Sequence, residues 1–419
     1  MTERAYQAII VGGGFAGVAA ANALGKAGVS TLLIDRNSYH QFQPLIYQVA
    51  SAQIGPNAVA RPLRAILRRR RSVRVLTASV TAFDAAAASV TTEDGVVYTA
   101  DFVVIASGAE ANYFGTPGAE ENAYPLYSVT DALSLGSELF DLFDDSDRDP
   151  SIAAEVVVVG GGPTGVETTG AIAETIKYVL PHYYSAELSA RATVHLVDMV
   201  PVVLGAFSEK SQRYARERLE RVGAQLHLGV GVTEVGPDSV TLADGTVIPS
   251  RMVVWAGGLK AGQLLTSSGL PQGRGGRIDV NPDLTVPGFE RIYVLGDAAN
   301  ITDARGDKLP QLGSVAKQAG HWAGRNILAQ LRGGTPSPFD YNDKGYMAMV
   351  GRGAAVAEIG RRRTHMQGFF AFVAWLAVHV TLLSGWTQRT RAVFAWFEDY
   401  LSHSRSNVVL GASRRRGSD

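Results

Sequence analysis

The chain has 419 residues, 46% hydrophobic and 19% charged, with a formal net charge of zero. A chain of this length and composition suggests roughly two to three domains with full cores, and it has no electrostatic case for general nucleic-acid binding. It contains no cysteine, which excludes disulfides, thiolate zinc sites and iron–sulfur clusters.

The first strand is expected to begin by about residue 6, which leaves no room for a leader peptide. Ala8 to Val11 runs into Gly12-Gly13-Gly14-Phe15-Ala16-Gly17, then a helix from Val18, then a strand Thr31 to Ile34 that ends on Asp35. This is a complete βαβ unit. Its glycines permit a tight turn and let backbone N–H groups at a helix N-terminus approach a pyrophosphate. Asp35 is spaced to accept the ribose hydroxyls of an adenosine. The basic run Arg68 to Arg71, after Arg61 and Arg64, reads as a solvated helix end.

The same grammar returns about 150 residues later. Val156 to Val159 leads into Gly160-Gly161-Gly162-Pro163-Thr164-Gly165, a long helix from Val166, and a strand Thr193 to Val197 that ends on Asp198. That acid lies 33 residues past Gly165, beyond the usual ~20, so extra helix is expected between Ile176 and Ala192. Two dinucleotides are therefore expected. No Arg or Lys occurs from Met199 to Ser208, so Asp198 favours a free ribose 2′-hydroxyl and NADH over NADPH.

A later strand, Arg291 to Leu295, ends on Gly296-Asp297-Ala298-Ala299. In two-dinucleotide flavoproteins such a Gly-Asp binds the ribityl and pyrophosphate part of FAD, so the first domain resumes after the second is inserted into it. The fold class expected is α/β, with two Rossmann-like dinucleotide-binding domains, the NADH domain inserted into the FAD domain, and a C-terminal helical segment for membrane association. The expected boundaries are 1–115 and 275–340 for FAD, 116–274 for NADH and 341–419 for the C-terminal region. The small-residue turns Ala106-Ser107-Gly108 and Ala256-Gly257-Gly258 each follow an apolar strand and read as returns toward the cofactors, although plain turn chemistry would look the same.

From Phe369 to Leu383 runs a stretch of fifteen largely apolar residues, short of the ~20 needed to cross a bilayer. A second helical pattern follows, in which Val393, Phe397 and Tyr400 recur. With Trp375, Trp386 and Trp396 as headgroup-level rings, the pair suits a membrane interface. Nine arginines from residue 361 onward (Arg361, Arg362, Arg363, Arg389, Arg391, Arg405, Arg414, Arg415 and Arg416) face three acids, Glu398, Asp399 and Asp419, and would attract anionic lipid. A core-packed or dimer-forming helix pair has the same spacing.

These residues resemble the type II NADH:quinone oxidoreductases, and the resemblance covers nearly the whole chain. Beyond the two glycine turns it rests on His40-Gln41-Phe42-Gln43-Pro44-Leu45-Ile46-Tyr47-Gln48-Val49-Ala50, Gly165-Val166-Glu167 and Gly296-Asp297-Ala298. The C-terminal pieces Tyr341 to Ala348, Gly351-Arg352, Ala355-Val356-Ala357 and Trp375 to His379 are also similar. The lack of cysteine separates the chain from lipoamide dehydrogenase and sulfide:quinone reductase chemistry. The resemblance implies a monotopic enzyme on the cytoplasmic face of the cell membrane, a homodimer, with noncovalent FAD, NADH as substrate, a quinone of the menaquinone or ubiquinone type as acceptor, no metal and no proton pumping.

By the same resemblance FAD would be held by Gly12, Gly14, Phe15, Ala16, Gly17, Asp35, Arg36, Pro44, Leu45, Ser107, Gly108, Gly296, Asp297, Ala316 and Lys344. NADH would be held by Gly160, Gly162, Pro163, Thr164, Gly165, Asp198, Ala256 and Gly257. Glu167 would contact nicotinamide or move a proton toward the quinone; a helix N-terminal carboxylate stabilised by the dipole is the plainer account. The family carries Ala-Gln-x-Ala-x-Gln beside the quinone head. Here the segment is Gly313-Ser314-Val315-Ala316-Lys317-Gln318, so Gln318 is retained and Ser314 replaces the first glutamine. That departure keeps open a specialised quinone reductase in biosynthesis. A soluble NADH-dependent reductase of a small electron-carrier protein, or a redox-sensing NADH-binding protein, would share both nucleotide domains. His379 could donate to a quinone oxygen or be a packed helix histidine.

Overall fold

The computed structural model describes residues 4–303 and 305–402; Arg405, Arg414, Arg415, Arg416 and Asp419 of the basic tail lie outside the described residues. The chain divides into two compact units. One is built from the residues up to Gln41, Arg61–Glu110 and Leu259–Asn342, and the other from Phe42–Ala60, Ala111–Gly258 and the chain from Asp343 onward.

In the first unit, five parallel strands lie in the order Phe289–Val294, Val97–Ile105, Arg4–Val11, Thr31–Asp35 and Val73–Thr77. Ile9, Ile10, Leu32, Leu33, Val103 and Val104 are fully buried, as expected of parallel strands covered on both faces. The helices Phe15–Lys26 and Gly313–Leu331 pack against one another through small residues, with Gly320 and Gly324 set against Ala16, Ala20 and Ala23. The helix Leu63–Leu67 ends into the arginine run, where the Arg70 Nε donates to Asn22 Oδ1 at 3.2 Å. Cations at a helix C-terminus complement its dipole.

The second unit repeats the plan with five parallel strands in the order Ala123–Pro125, Met252–Trp255, Glu155–Val159, Thr193–Asp198 and Gln225–Leu228. The extra helix expected before Thr193 is present as a wide π turn over Thr175–Val179 and short helices Leu180–Tyr183 and Ala186–Arg191. An antiparallel sheet of Gly345–Met349, Ala355–Ile359 and Thr364–Gly368 precedes two C-terminal helices, Phe369–Leu382 and Trp386–Ser402. The fold class is the one expected, with residues 111–258 of the second unit inserted between segments of the first.

Both C-terminal helices are apolar on two sides. Phe372, Trp375 and His379 turn one face of the first helix inward, while Phe369, Phe370, Val373, Val378 and Leu382 are exposed. On the second, Ala392 and Trp396 are buried, and Trp386, Val393, Phe394 and Phe397 are exposed. No helix among the described residues is long and apolar enough to cross a membrane.

Three details of the tail differ from expectation. Trp375 and Trp396 are not surface rings, since they are 0% and 5% exposed, and only Trp386 of the three tryptophans faces outward. Helical phase sends positions 375 and 396 to the same side as the buried residues three and four places away. Tyr400 parts company with Val393 and Phe397, its ring meeting Phe372 edge-on at 5.3 Å. Arg363 bonds to Asp343 at 2.9 Å and covers the Tyr346 ring, and Arg389 donates to the Thr381 and Leu383 carbonyls. These two cations serve the fold, the second by capping the end of the Phe369 helix.

A β-carbon at Gly320 would fall inside the radius of the Ala16 carbonyl oxygen. Gly320→Ala is therefore expected to cost about 1–3 kcal/mol of stability and to lower the thermal midpoint. Gly205→Ala, where an added β-carbon meets nothing within 4 Å, should leave it unchanged.

Candidate functional site

Four neighbouring parallel strands of the first unit deliver their carboxyl ends to one edge. They end on Gly296-Asp297, on Ser107-Gly108, on the Gly12 turn and on Asp35. This is where a doubly wound sheet binds ligands. The turn is held by Gly12 N–H to the Ile34 carbonyl at 2.8 Å and Ala106 N–H to the Val11 carbonyl at 2.7 Å. Gly12 has φ +103°, and a β-carbon there would strike the Ala106 carbonyl; one at Gly17 would strike the Gly12 carbonyl. Asp35 accepts from the Gly13 N–H at 2.5 Å with one oxygen and from the Asn37 N–H at 2.6 Å with the other. Burial holds its carboxyl above the usual range, against the pull of these two donors and of Arg36.

The residues present fit a dinucleotide. No side chain caps the N-terminus of the Phe15 helix, and nothing lies within 4 Å of where a Gly14 β-carbon would be, so its N–H groups open on free space. Such an end attracts a pyrophosphate. Gly296, with φ +66°, brings its turn against Ala16 and Ala316. The helix Gly313–Leu331 adds a second N-terminus without a side-chain cap. His40, buried and held below its ordinary pKa by that burial, donates its Nδ1–H to the Gly13 carbonyl at 3.0 Å and meets Phe15 edge-on.

Ser314 and Gln318 both hold the following segment. Ser314 Oγ bonds the Tyr341 hydroxyl at 2.9 Å. The Gln318 amide donates to the Asn342 carbonyl and accepts from its N–H, both at 3.0 Å. Each end of that amide retains one further hydrogen-bonding position.

The second unit repeats the first site almost bond for bond. Gly160 N–H meets the Val197 carbonyl and Ala256 N–H the Val159 carbonyl, both at 2.8 Å. Gly160 has φ +111°, and Gly165 lies against the Gly160 carbonyl as Gly17 does against Gly12. Asp198 accepts from Gly161 N–H with one oxygen and from Val200 N–H at 2.7 Å with the other. Pro163 opens the helix Pro163–Glu174, its first turn is uncapped, and Gly162 faces open space. A second dinucleotide fits here on the same grounds. Pro44, Leu45 and Lys344 also belong to this unit: Leu45 is fully buried, Pro44 half-buried and Lys344 exposed.

Glu167 lies in the second turn of that helix. Burial pushes its carboxyl up to about 8, opposed by the Met349 N–H, which donates to Oε1 at 3.0 Å, and by the neighbouring Trp375 indole. A carboxyl so placed is protonated at neutral pH and can give up a proton. The helix Ile46–Ala50 packs on the Pro163 helix and carries Tyr47, whose hydroxyl is pushed well above its ordinary range by burial first and by Glu167 second. Gln48 donates to the Tyr47 hydroxyl at 3.0 Å and accepts from the Trp396 indole at 2.7 Å. His379 stacks on Trp375 at 3.8 Å, donates Nδ1–H to the Trp375 carbonyl at 2.8 Å, and is held down to about 4 by burial. It is the packed helix histidine of the two alternatives. Sequence assigns no role to Tyr47 and Gln48, although both stand in the motif that carries the resemblance, and it gives Trp396 only that of an interfacial ring.

A sequence model of the pyridine nucleotide-disulphide oxidoreductase family matches residues 6–320. The type II NADH:quinone oxidoreductases Ndh and NdhA of Mycobacterium tuberculosis are 36% and 33% identical to the chain, each over 97% of it and over 90% and 89% of their own lengths. In fold it is similar to the NDH2 of Plasmodium falciparum solved with NADH, at 19% identity and a TM-score of 0.86, with 95% and 99% of the two chains covered. With the two glycine turns and their acids in place, the chain belongs to the type II NADH:quinone oxidoreductases, enzymes of the pyridine nucleotide-disulphide oxidoreductase family.

Proposed function

We propose that this protein oxidises NADH through noncovalently bound FAD and reduces a quinone of the menaquinone or ubiquinone type by two electrons, at a membrane surface and without moving charge across it. The observation that carries this reading is the duplicated turn with its carboxylate clasp, one copy in each unit, in a chain of this family. FAD, when bound, accepts a hydride and passes two electrons on. The first site, with Asp35, Arg36, Ser107, Gly108, Asp297 and Ala316, holds FAD. The second, with Asp198, Ala256 and Gly257, holds NADH. Overall, NADH, one proton and the quinone give NAD⁺ and the hydroquinone. The protein's own work is placement and proton supply.

Glu167 supplies that proton. Ser314 and Gln318 border the quinone head, and the serine, shorter than glutamine, leaves more room there. In domain terms, 1–115 and 275–340 serve FAD, 116–274 serve NADH, and 341–419 meet lipid and a second copy of the chain on the cytoplasmic face of the cell membrane. Support for the membrane comes from Phe369, Phe370, Trp386, Phe394 and Phe397, which are all more than 60% exposed on two adjoining helices. Patches of that kind mark interaction sites.

The direct test is to release and identify the flavin, then follow NADH oxidation with menaquinone, ubiquinone and ferricyanide. Turnover with ferricyanide and neither quinone would overturn the acceptor. Because both Asp198 oxygens are fixed by backbone donors, the carboxylate cannot turn away from a 2′-phosphate. NADH should be preferred to NADPH by at least about tenfold in kcat/KM, and Asp198→Asn should narrow the gap.

Glu167→Gln should leave NADH-driven flavin reduction intact and slow reoxidation by quinone by about 100-fold or more. The raised carboxyl also fixes a sign for stability. The native state holds the Glu167 proton between the unfolded value near 4.5 and the folded value of about 8, so wild-type stability falls as pH rises through this window. The thermal midpoint of Glu167→Gln should therefore gain on wild type from pH 5 to about pH 9. A constant difference would refute a buried, proton-holding Glu167.

Replacing Phe370, Phe394 and Phe397 together by serine removes apolar surface worth about 1.5–3 kcal/mol per fully buried side chain. Flotation with anionic phospholipid vesicles should drop to near background while ferricyanide activity is kept. Undiminished flotation would place the lipid contact elsewhere.

A further inference from the structure

Two buried donors beside Glu167 have no acceptor among the described residues. The Trp375 indole is fully buried, and its N–H has no hydrogen-bond partner, although it lies close enough to the Glu167 carboxyl to favour the charged form. Tyr47 is 4% exposed, and its hydroxyl receives a hydrogen bond from Gln48. The direction of that bond is fixed. An indole N–H can only donate, so the Trp396 N–H commits the Gln48 oxygen to itself and turns the Gln48 NH₂ group to the tyrosine oxygen. The Tyr47 hydrogen is then left to donate, and among the described residues it has no acceptor. Leaving buried donors unmade costs about 1–3 kcal/mol each, so a fold that keeps two of them around one carboxyl has a use for them.

We propose that Tyr47 and Trp375 are positioning residues for Glu167, whose O–H and N–H receive the carboxylate formed when Glu167 gives its proton to the reduced quinone. The inference rests on the reading of Glu167 as proton source. The quinone gains two electrons and one proton originating as the hydride of NADH, and a second proton from Glu167; the carboxylate then recovers its proton from water. The two donors make the charged half of that cycle accessible in a buried place. They also keep the carboxylate aimed, because hydrogen bonds to the ionised form are the stronger ones.

Among the described residues, the other neighbours of Glu167 do not supply this. The groups that face Glu167 are Tyr47 from the Ile46 helix, the Met349 N–H from the strand Gly345–Met349, and Trp375. Glu174, two turns along the same helix, is engaged by the Arg352 N–H, and Arg352 is engaged by Asp399. From the helix Glu209–Val222, Arg218 donates to the Arg352 carbonyl. Tyr400 meets Phe372 and Arg352, and His379, stacked on Trp375, is neutral. Among the described residues, no cation is placed to stabilise the Glu167 carboxylate.

The experiment is single-turnover reoxidation of NADH-reduced holoenzyme by a short-chain quinone between pH 6 and 10, read at the flavin absorbance. In wild type the rate should fall as pH rises past the Glu167 ionisation, and Glu167→Gln should abolish that limb. Tyr47→Phe and Trp375→Phe should each move the limb upward by about 0.5–1 pH unit and leave reduction by NADH unchanged. Trp396→Phe, which frees the Gln48 amide to turn, should shift it the same way by less, and add nothing in the Tyr47→Phe background. Tyr47→Phe keeps the ring, so the test stands even if Trp375→Phe loses flavin or stability. A limb abolished by Glu167→Gln and unmoved by Tyr47→Phe and Trp396→Phe overturns this inference alone. A limb that survives Glu167→Gln overturns the proton-source reading, and this inference with it.

Discussion

A backbone approach closer than any side chain allows sits at the centre of each nucleotide unit. The helix after each glycine turn presses its first turn onto the carbonyl of the residue that opens the loop, Gly17 onto Gly12 and Gly165 onto Gly160. The middle glycine N–H is meanwhile clasped by a carboxylate from the next strand, Asp35 or Asp198. Strand, helix and acid are thus tied at one point. The helix end that remains faces outward with its N–H groups unspent, and neighbouring strands deliver Ser107, Gly296 and Asp297, or Ala256 and Gly257, to the same edge. The clasp shapes the turn and fixes a carboxylate at the strand end, where the proposed reading puts a ribose.

What the sequence made legible follows from locality. The glycine turns, the acids that end the next strands and the extra helix before Thr193 are all written within one βαβ unit, where spacing has a direct geometric meaning. The tail was legible as helices and opaque as a surface. Trp375 and Trp396 read as interfacial rings because a tryptophan with a polar tip suits a membrane boundary, yet Trp375 lies beside a carboxyl more than 200 residues away and Trp396 donates to an amide more than 300 residues away. No window of local sequence contains that information. Arg363 and Arg389 were counted with the lipid-facing cations for the same reason; a ring at Tyr346 and two helix-end carbonyls had claimed them first. Gln318 was legible as a polar group of the right type, while its grip on Asn342 depends on where the chain turns after a nineteen-residue helix.

The second unit is built as much by its late residues as by its nucleotide fold. The Phe369 helix contributes Trp375, Phe372 and His379 to the interior, and the Trp386 helix contributes Ala392 and Trp396. The opposite faces of the same helices are apolar and uncovered. Side chains that complete a core and side chains that seek an apolar medium therefore alternate on one short element, and a hydrophobic periodicity cannot assign one role or the other. Helices apolar all round are ordinarily buried. Here the protein buries one side and leaves the other uncovered.

The chain of bonds from Trp396 through Gln48 to Tyr47 has one point at which its sense is stored, the amide at position 48. Amide and carboxylate are nearly the same shape, and deamidation of Gln48 to glutamate would disturb no packing. Two acceptor oxygens would then stand where one donor and one acceptor had been. The indole N–H would still be satisfied, but the tyrosine would turn its hydrogen back toward position 48 and away from Glu167. A single atom's change, invisible in the outline of the fold, would reverse the polarity of a buried wire.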